Sequence, residues 1–238
     1  MTHYLNQEMC WKGKDMKAID LSYKIYDGLT THPSHPRIVI SDFVTHEFTA
    51  PRYQPPCEGF ATKQLLISDH AGTHVDAPIH FRPGSESIDR QALDLFFGEA
   101  ILLDVSAKEL RRPVDLDLVQ ATLAKDDLEI REGDIVLIRA WKGNWADKDF
   151  HHANALSLDA AQWLKEQGMK AVGTDLSNIE DNPDMTRKVH YYLLGEKIPI
   201  YENLANLDQI PVKRFLFMGL PLSLDGCTGS PVRAVALV

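Results

Sequence analysis

The stretch His70-Ala71-Gly72-Thr73-His74-Val75-Asp76-Ala77-Pro78-Ile79-His80 packs three imidazoles and a carboxylate into eleven residues. Histidine nitrogens with a carboxylate oxygen form a ligand set suited to zinc, manganese or iron(II). The set holds one more candidate base than a three-ligand site requires, which favours an enzyme over a structural metal site.

Geometry limits how this stretch can fold. On a helix His70 and His74 would share a face, but Asp76 would lie roughly 160° from His74. Pro78 also opposes a helix interior. On a strand His74, Asp76 and His80 share one face, because side chains alternate with period two. His74 and Asp76 are then about 6.6 Å apart at Cα, close enough to grip one ion or two neighbouring ions. Four extended residues would carry His70 roughly 13 Å from His74. The chain must therefore fold back between them, and Gly72 permits that most cheaply. The expectation is a glycine-permitted bend followed by a short extended segment.

The 238 residues suffice for one substantial core, and their 44% apolar and 25% charged content is that of a soluble globular protein. Lys and Arg number 25 against 34 Asp and Glu, a net charge of −9. That balance argues against nucleic acid and against an anionic membrane surface as partners. No apolar run is long enough to span a bilayer, and the first residues lack the apolar core of a signal peptide. Cys10, Cys57 and Cys227 are an odd number without paired spacing, which fits a reducing cytoplasm.

Residues 1–17 read as a polar extension and 18–238 as one domain. Strands are expected at 37–43 and 60–67. From there strands and helices alternate: strands at 100–105, 134–140 and 170–175, helices at 115–124, at 157–167 with Ser157 as cap, and from an Asp184 cap to Leu194. Further strands follow at 198–202, 214–222 and 232–238. Two downstream residues can complete a metal centre: His190 near a helix end, and Glu202 twelve residues later on a short strand. On spacing alone they equally fit a polar helix position and a surface charge. Trp141 and Trp145 can wall an apolar or aromatic substrate, or anchor the core or a subunit interface. His32, His35 and His151-His152 read as surface residues, and Asp175 and Ser177 as partners orienting a ligand histidine.

The histidine stretch resembles the H-x-G-T-H-x-D-x-P-x-H motif of the cyclase family of metal-dependent hydrolases, which includes kynurenine formamidases and isatin hydrolases. Ile19-Asp20-Leu21-Ser22, Val172-Gly173-Thr174-Asp175 with Ser177, and Ser230-Pro231-Val232-Arg233-Ala234-Val235 resemble further segments of that family. The resemblance implies a swivelling β/β/α-type α/β fold, a single domain with a mixed sheet and flanking helices, assembled as a homodimer or larger homo-oligomer. It implies His70, His74, Asp76, His190 and Glu202 as ligands of one or two divalent ions, zinc or manganese, with Asp76 bridging. His80 becomes the catalytic acid/base, and the reaction hydrolysis of a C–N bond in a small formamide, amide or cyclic amide. The competing readings are a metal-dependent dehydrating cyclase and a non-catalytic metal- or ligand-binding relative.

Overall fold

Between residues 97 and 202 strands alternate with helices, and this alternation builds the centre of the molecule. The computed structural model describes residues 16–143, 145–147, 149–180 and 184–238. The elements are β1 (Ala18–Asp20), β2 (Val39–Val44), the one-turn α1 (His46–Thr49), β3 (Thr62–Leu66) and β4 (His74–Asp76). Then come β5 (Phe97–Asp104), α2 (Leu116–Lys125), β6 (Ile135–Arg139), α3 (Leu158–Glu166), β7 (Ala171–Thr174), α4 (Lys188–Gly195) and β8 (Ile200–Glu202). The last are β9 (Arg214–Met218), β10 (Gly229–Pro231) and β11 (Val235–Leu237).

Nine strands form one mixed sheet in the order β1-β11-β9-β5-β6-β7-β8-β4-β10, while β2 and β3 pair apart from it. The four strands from β5 to β8 run parallel. Parallel neighbours cannot be joined by a tight turn, so each step needs a crossover, and α2, α3 and α4 supply the three. On both flanks the pairing is antiparallel.

Alternation along the strands sorts side chains between two cores. Ile101, Leu103, Val136, Ile138, Val172 and Ile200 pack with the helix residues Val119, Leu123, Leu164 and Leu193. Ala100, Leu102, Ile135, Leu137 and Tyr201 face the other way, against Phe215, Phe217 and Ala236 of the antiparallel strands. The result is the expected α/β class, a mixed sheet with its helices in one layer. Among the described residues no helix is long and apolar enough to cross a membrane. Residues 1–15 of the extension expected at 1–17 lie outside the described residues.

Helix ends follow local chemistry, with two differences from expectation. Asp115 caps α2 by accepting from Leu118 N at 2.9 Å, a contact worth about 1 kcal/mol. Ser157 precedes α3 in extended conformation, but its hydroxyl turns to the Asp159 carboxylate instead of capping. Asp184 does not start α4 either: its carboxylate takes Thr186 N at 3.0 Å, and Arg187 sits in the left-handed region at φ 47°. The first turn of α4 is closed instead by Glu180, which accepts from Val189 N at 3.0 Å and His190 N at 3.4 Å.

Candidate metal centre

Strand register puts the first three acidic and imidazole groups together. β4 and β8 are antiparallel, with His74 opposite Glu202 and Asp76 opposite Ile200. Directly opposed residues project to the same face, and Asp76 shares that face two residues along from His74. Val75 and Tyr201 enter the core on the far side, so His74, Asp76 and Glu202 look toward the helices. There α4 brings His190, whose Nε2 lies 3.2 Å from Glu202 Oε1 and 3.6 Å from Asp76 Oδ2.

His70 arrives by the expected bend. Gly72 has φ +67°, a conformation that disfavours side chains with a Cβ. The fold-back sets His70 Nδ1 at 2.8 Å from Asp76 Oδ1, and His74 Nε2 lies 3.3 Å from the same oxygen. A second glycine explains how closely β10 approaches. A Cβ on Gly229 would lie 2.6 Å from the His70 ring and 2.7 Å from the Val75 carbonyl oxygen.

These side chains make two buried donor clusters, His70/His74/Asp76 and Asp76/His190/Glu202, which share Asp76. Three of their buried polar atoms, His70 Nδ1 and both Asp76 carboxylate oxygens, lack an aligned hydrogen-bond partner. Donors that converge on one point without bonding to each other fit a cation between them. A buried carboxylate whose oxygens lack aligned hydrogen bonds would otherwise cost on the order of several kcal/mol.

Each imidazole is also tied from behind. His74 Nδ1–H donates to the Gly72 carbonyl at 2.9 Å. His190 Nδ1–H donates to Glu180 Oε1 at 2.6 Å. Thr228 gives its hydroxyl proton to Asp69 Oδ2 at 2.7 Å, so it can only accept from His70 Nε2–H at 2.8 Å. In all three rings the remaining nitrogen faces the centre, the arrangement metal-binding histidines need. Glu202 is held likewise, since its Oε1 accepts from Ile179 N at 2.7 Å.

Electrostatics follow from this packing. Burial disfavours charge on His74 and His190, yet the neighbouring carboxylates push each up to about 9: Asp76 and Glu202 for His74, Glu180 and Glu202 for His190. Burial opposes ionisation of Asp76 too, but His70, His74 and His80 hold its carboxyl well below the usual carboxylate range. Burial pushes His80 down to about 4.

His80 departs from the expected extended run. Pro78 opens a single 3-10 turn over Pro78–His80, so the strand stops at Asp76. Pro suits that first position because its missing N–H would be unbonded there anyway. The turn carries the His80 ring over His70, with centroids 4.0 Å apart, and 6.4 Å from His190. Neither donor cluster includes it.

The centre opens into a cavity of about 190 Å³ walled by His32, His35, His80, Phe81, Arg187 and Asn203. His32 and His35, read as surface residues, are half-buried cavity walls; no local pattern marks two histidines among prolines as such. Trp141 and Trp145 are not among the described residues lining it. Trp141 meets Phe150 edge-on at 6.0 Å and Trp145 packs on Tyr23 at 5.4 Å. Asp175 and Ser177 do not orient a centre histidine. Asp175 accepts from Ala140 N and Trp141 N at 2.8 and 3.2 Å, and Ser177 meets His151 at 2.9 Å. The orienting work falls to Glu180, Thr228 and a backbone carbonyl. We expect Glu180→Ala to weaken cation binding at the His190 cluster by about 10–100-fold, read by chelator competition, while the His70 cluster keeps its affinity.

Residues 19–181 match the Cyclase family model. The chain is 31% identical over 172 residues to a kynurenine formamidase of Bacillus thuringiensis (strain Al Hakam), covering 72% of this chain and 78% of that protein. It is 27% identical over 167 residues to a kynurenine formamidase of Erythrobacter litoralis, covering 70% and 72%. An isatin hydrolase bound to the product analogue thioisatinate superposes with a TM-score of 0.76 at 22% identity, over 94% of this chain and 92% of that one. Isatin hydrolase A from Ralstonia solanacearum gives 0.74 at 22% identity over the same shares. These superpositions show a common fold.

Proposed function

The chain belongs to the Cyclase family, and from that premise we propose that it is a metal-dependent hydrolase of C–N bonds in small formamides, amides or cyclic amides. The observation that carries the reading is the set of three imidazoles, each tied at its outer nitrogen and aimed inward at a shared carboxylate. His70, His74 and Asp76 would hold one divalent cation and Asp76, His190 and Glu202 a second. Zinc is the proposed ion and manganese the alternative, since imidazole and carboxylate donors serve both. Such cations, when bound, polarise a carbonyl and lower the pKa of water to about 7.

The chain's own residues supply the proton transfers. His80, neutral at rest and facing the cavity, accepts a proton from the attacking water and returns it to the departing nitrogen as the C–N bond breaks. Similarity to kynurenine formamidases, which are hydrolases by name, favours hydrolysis over dehydrating cyclisation. A free base beside a full ligand set speaks against a purely binding role. Residues 18–238 form the proposed catalytic domain and 1–17 an extension. Free thiols at Cys57 and Cys227 fit a cytoplasmic protein, and a homodimer is the proposed assembly.

The reading is tested by metal analysis followed by turnover of N-formylkynurenine and a panel of cyclic amides. Cleavage that is lost on chelation and restored by zinc is the expected result. Loaded protein that binds these compounds and never cleaves them overturns it. Metal binding should also depend on pH with a definite sign. At neutral pH the metal-free protein carries protons on His74 and His190, both pushed up to about 9. A cation must displace them, so affinity rises with pH up to about 9 and falls below it. Calorimetry in buffers of different ionisation enthalpy should register net proton release.

A further inference from the structure

The cavity over the centre is small, about 190 Å³, against roughly 300–1,000 Å³ for sites that take drug-sized ligands. Beyond the donors of the two clusters, its described lining is polar, and Phe81 is the one hydrocarbon ring in it. An apolar ligand would strip water from that wall without replacing its hydrogen bonds. The body of the substrate must therefore bring polar groups of its own.

Charge says which kind. The only carboxylate among the described lining residues is Glu202, and it belongs to a donor cluster. The only Lys or Arg among them is Arg187. His32 adds no fixed charge to that wall, since its Nδ1 accepts from Ser34 N at 3.2 Å, which leaves the ring proton on Nε2. Burial first, then the neighbouring imidazoles and the Arg187 charge hold His32 below its usual range. The wall thus presents a permanent cation and a neutral N–H donor, inside a protein whose net charge is −9.

The backbone supplies a second observation. Arg187 lies in the left-handed region at φ 47° and ψ 40°, where a side chain is strained and glycine is not. Such strain gathers at active sites and ligand clamps. Glycine would relieve it here. What arginine adds is a cation at the cavity, three residues ahead of the donor His190.

We propose that Arg187 sets the specificity of this site by pairing with a carboxylate that the substrate carries a few bonds from its scissile C–N bond. The proposal rests on the hydrolase reading of the centre and names the substrate class: compact aliphatic amides with an acid group. A guanidinium has five N–H donors in a planar fork, so it grips a carboxylate through two of them while keeping other contacts. A single cation in an acidic protein balances a monoanion and leaves a phosphate dianion half uncompensated.

Matched pairs test this on the zinc-loaded chain: N-formylglycine, N-formyl-β-alanine and 4-formamidobutanoate, each against the primary amide of its acid group, read by formate release. At least one acid should exceed its amide twin in kcat/KM by about 10–100-fold, the usual worth of a hydrogen bond to a charged group. Arg187→Gly, which suits that backbone, should erase the preference mainly through KM, with circular dichroism and zinc content unchanged. Arg187→Lys should keep part of it, since lysine retains the charge and loses the fork. Acids and amides cleaved alike overturn the proposal. So does a preference that survives Arg187→Gly, or a variant in which both members of each pair decline together, as a structural role predicts. A chain that cleaves N-formylkynurenine and none of the short acids overturns it too. If no amide is cleaved at all, it is the hydrolase reading that fails, and calorimetry of the same pairs decides this one. Equal affinity for acid and amide, or a difference that survives Arg187→Gly, then overturns it.

Discussion

Asp76→Ala should remove both proposed cation sites in one substitution. Asp76 is 1% exposed and lends one carboxylate oxygen to each donor cluster: Oδ1 faces His70 and His74, and Oδ2 faces His190. Alanine leaves each cluster two donors, too few for the three protein ligands of a catalytic site. Zinc content should drop from two equivalents to near zero and turnover to the level of chelated enzyme. Zinc should no longer raise the melting temperature, because a ligand stabilises only the state that binds it. Comparison with single-cluster variants separates this from general damage. His70→Ala and His74→Ala touch only the first cluster, and His190→Ala only the second, so each should retain one equivalent more than Asp76→Ala. An Asp76→Ala protein that keeps one tight equivalent would assign the carboxylate to a single ion.

Some of this arrangement was legible in the residues themselves. Period two along His74-Val75-Asp76 and the need for a fold-back at Gly72 follow from backbone geometry alone, and both are found. The alternation of strands and helices from β5 to β8 is likewise local and strong. Orienting groups were harder to read. Glu180 stands ten residues before His190 with no periodic relation to it, and it acts because a left-handed Arg187 delays the start of α4. The Gly72 carbonyl has no side-chain signature at all. Thr228 reaches His70 only because β10 pairs with β4, a contact between residues more than 150 positions apart. His32 and His35 become cavity walls for the same reason, through chain path and not composition. Trp141 and Trp145 fit a substrate wall or an anchor by composition alone; their rings meet Phe150 and Tyr23, and neither is among the described residues lining the cavity. Ligand chemistry clusters in sequence; the groups that aim the ligands come from wherever the sheet brings them.

His80→Ala is the variant that separates proton transfer from metal binding. The ring lies over His70 but belongs to neither donor cluster, so its removal should leave both ions in place. Turnover should fall by about 10²–10⁴, the usual worth of one general acid–base group. The deletion opens space the size of an imidazole beside a cavity that already reaches the surface. Added imidazole should therefore enter and restore part of the rate at unchanged zinc content. A merely structural role predicts no such rescue, since a small molecule cannot repair a displaced backbone. His80 is half-buried and sits on a one-turn segment fixed by Pro78, so the fold around the centre should survive its truncation. If zinc is lost along with activity, His80 is a ligand and the proton must travel by another group. The six cavity imidazoles would then need reassigning, with His35, whose ring centroid is 6.1 Å from that of His70, the next nearest base on that wall.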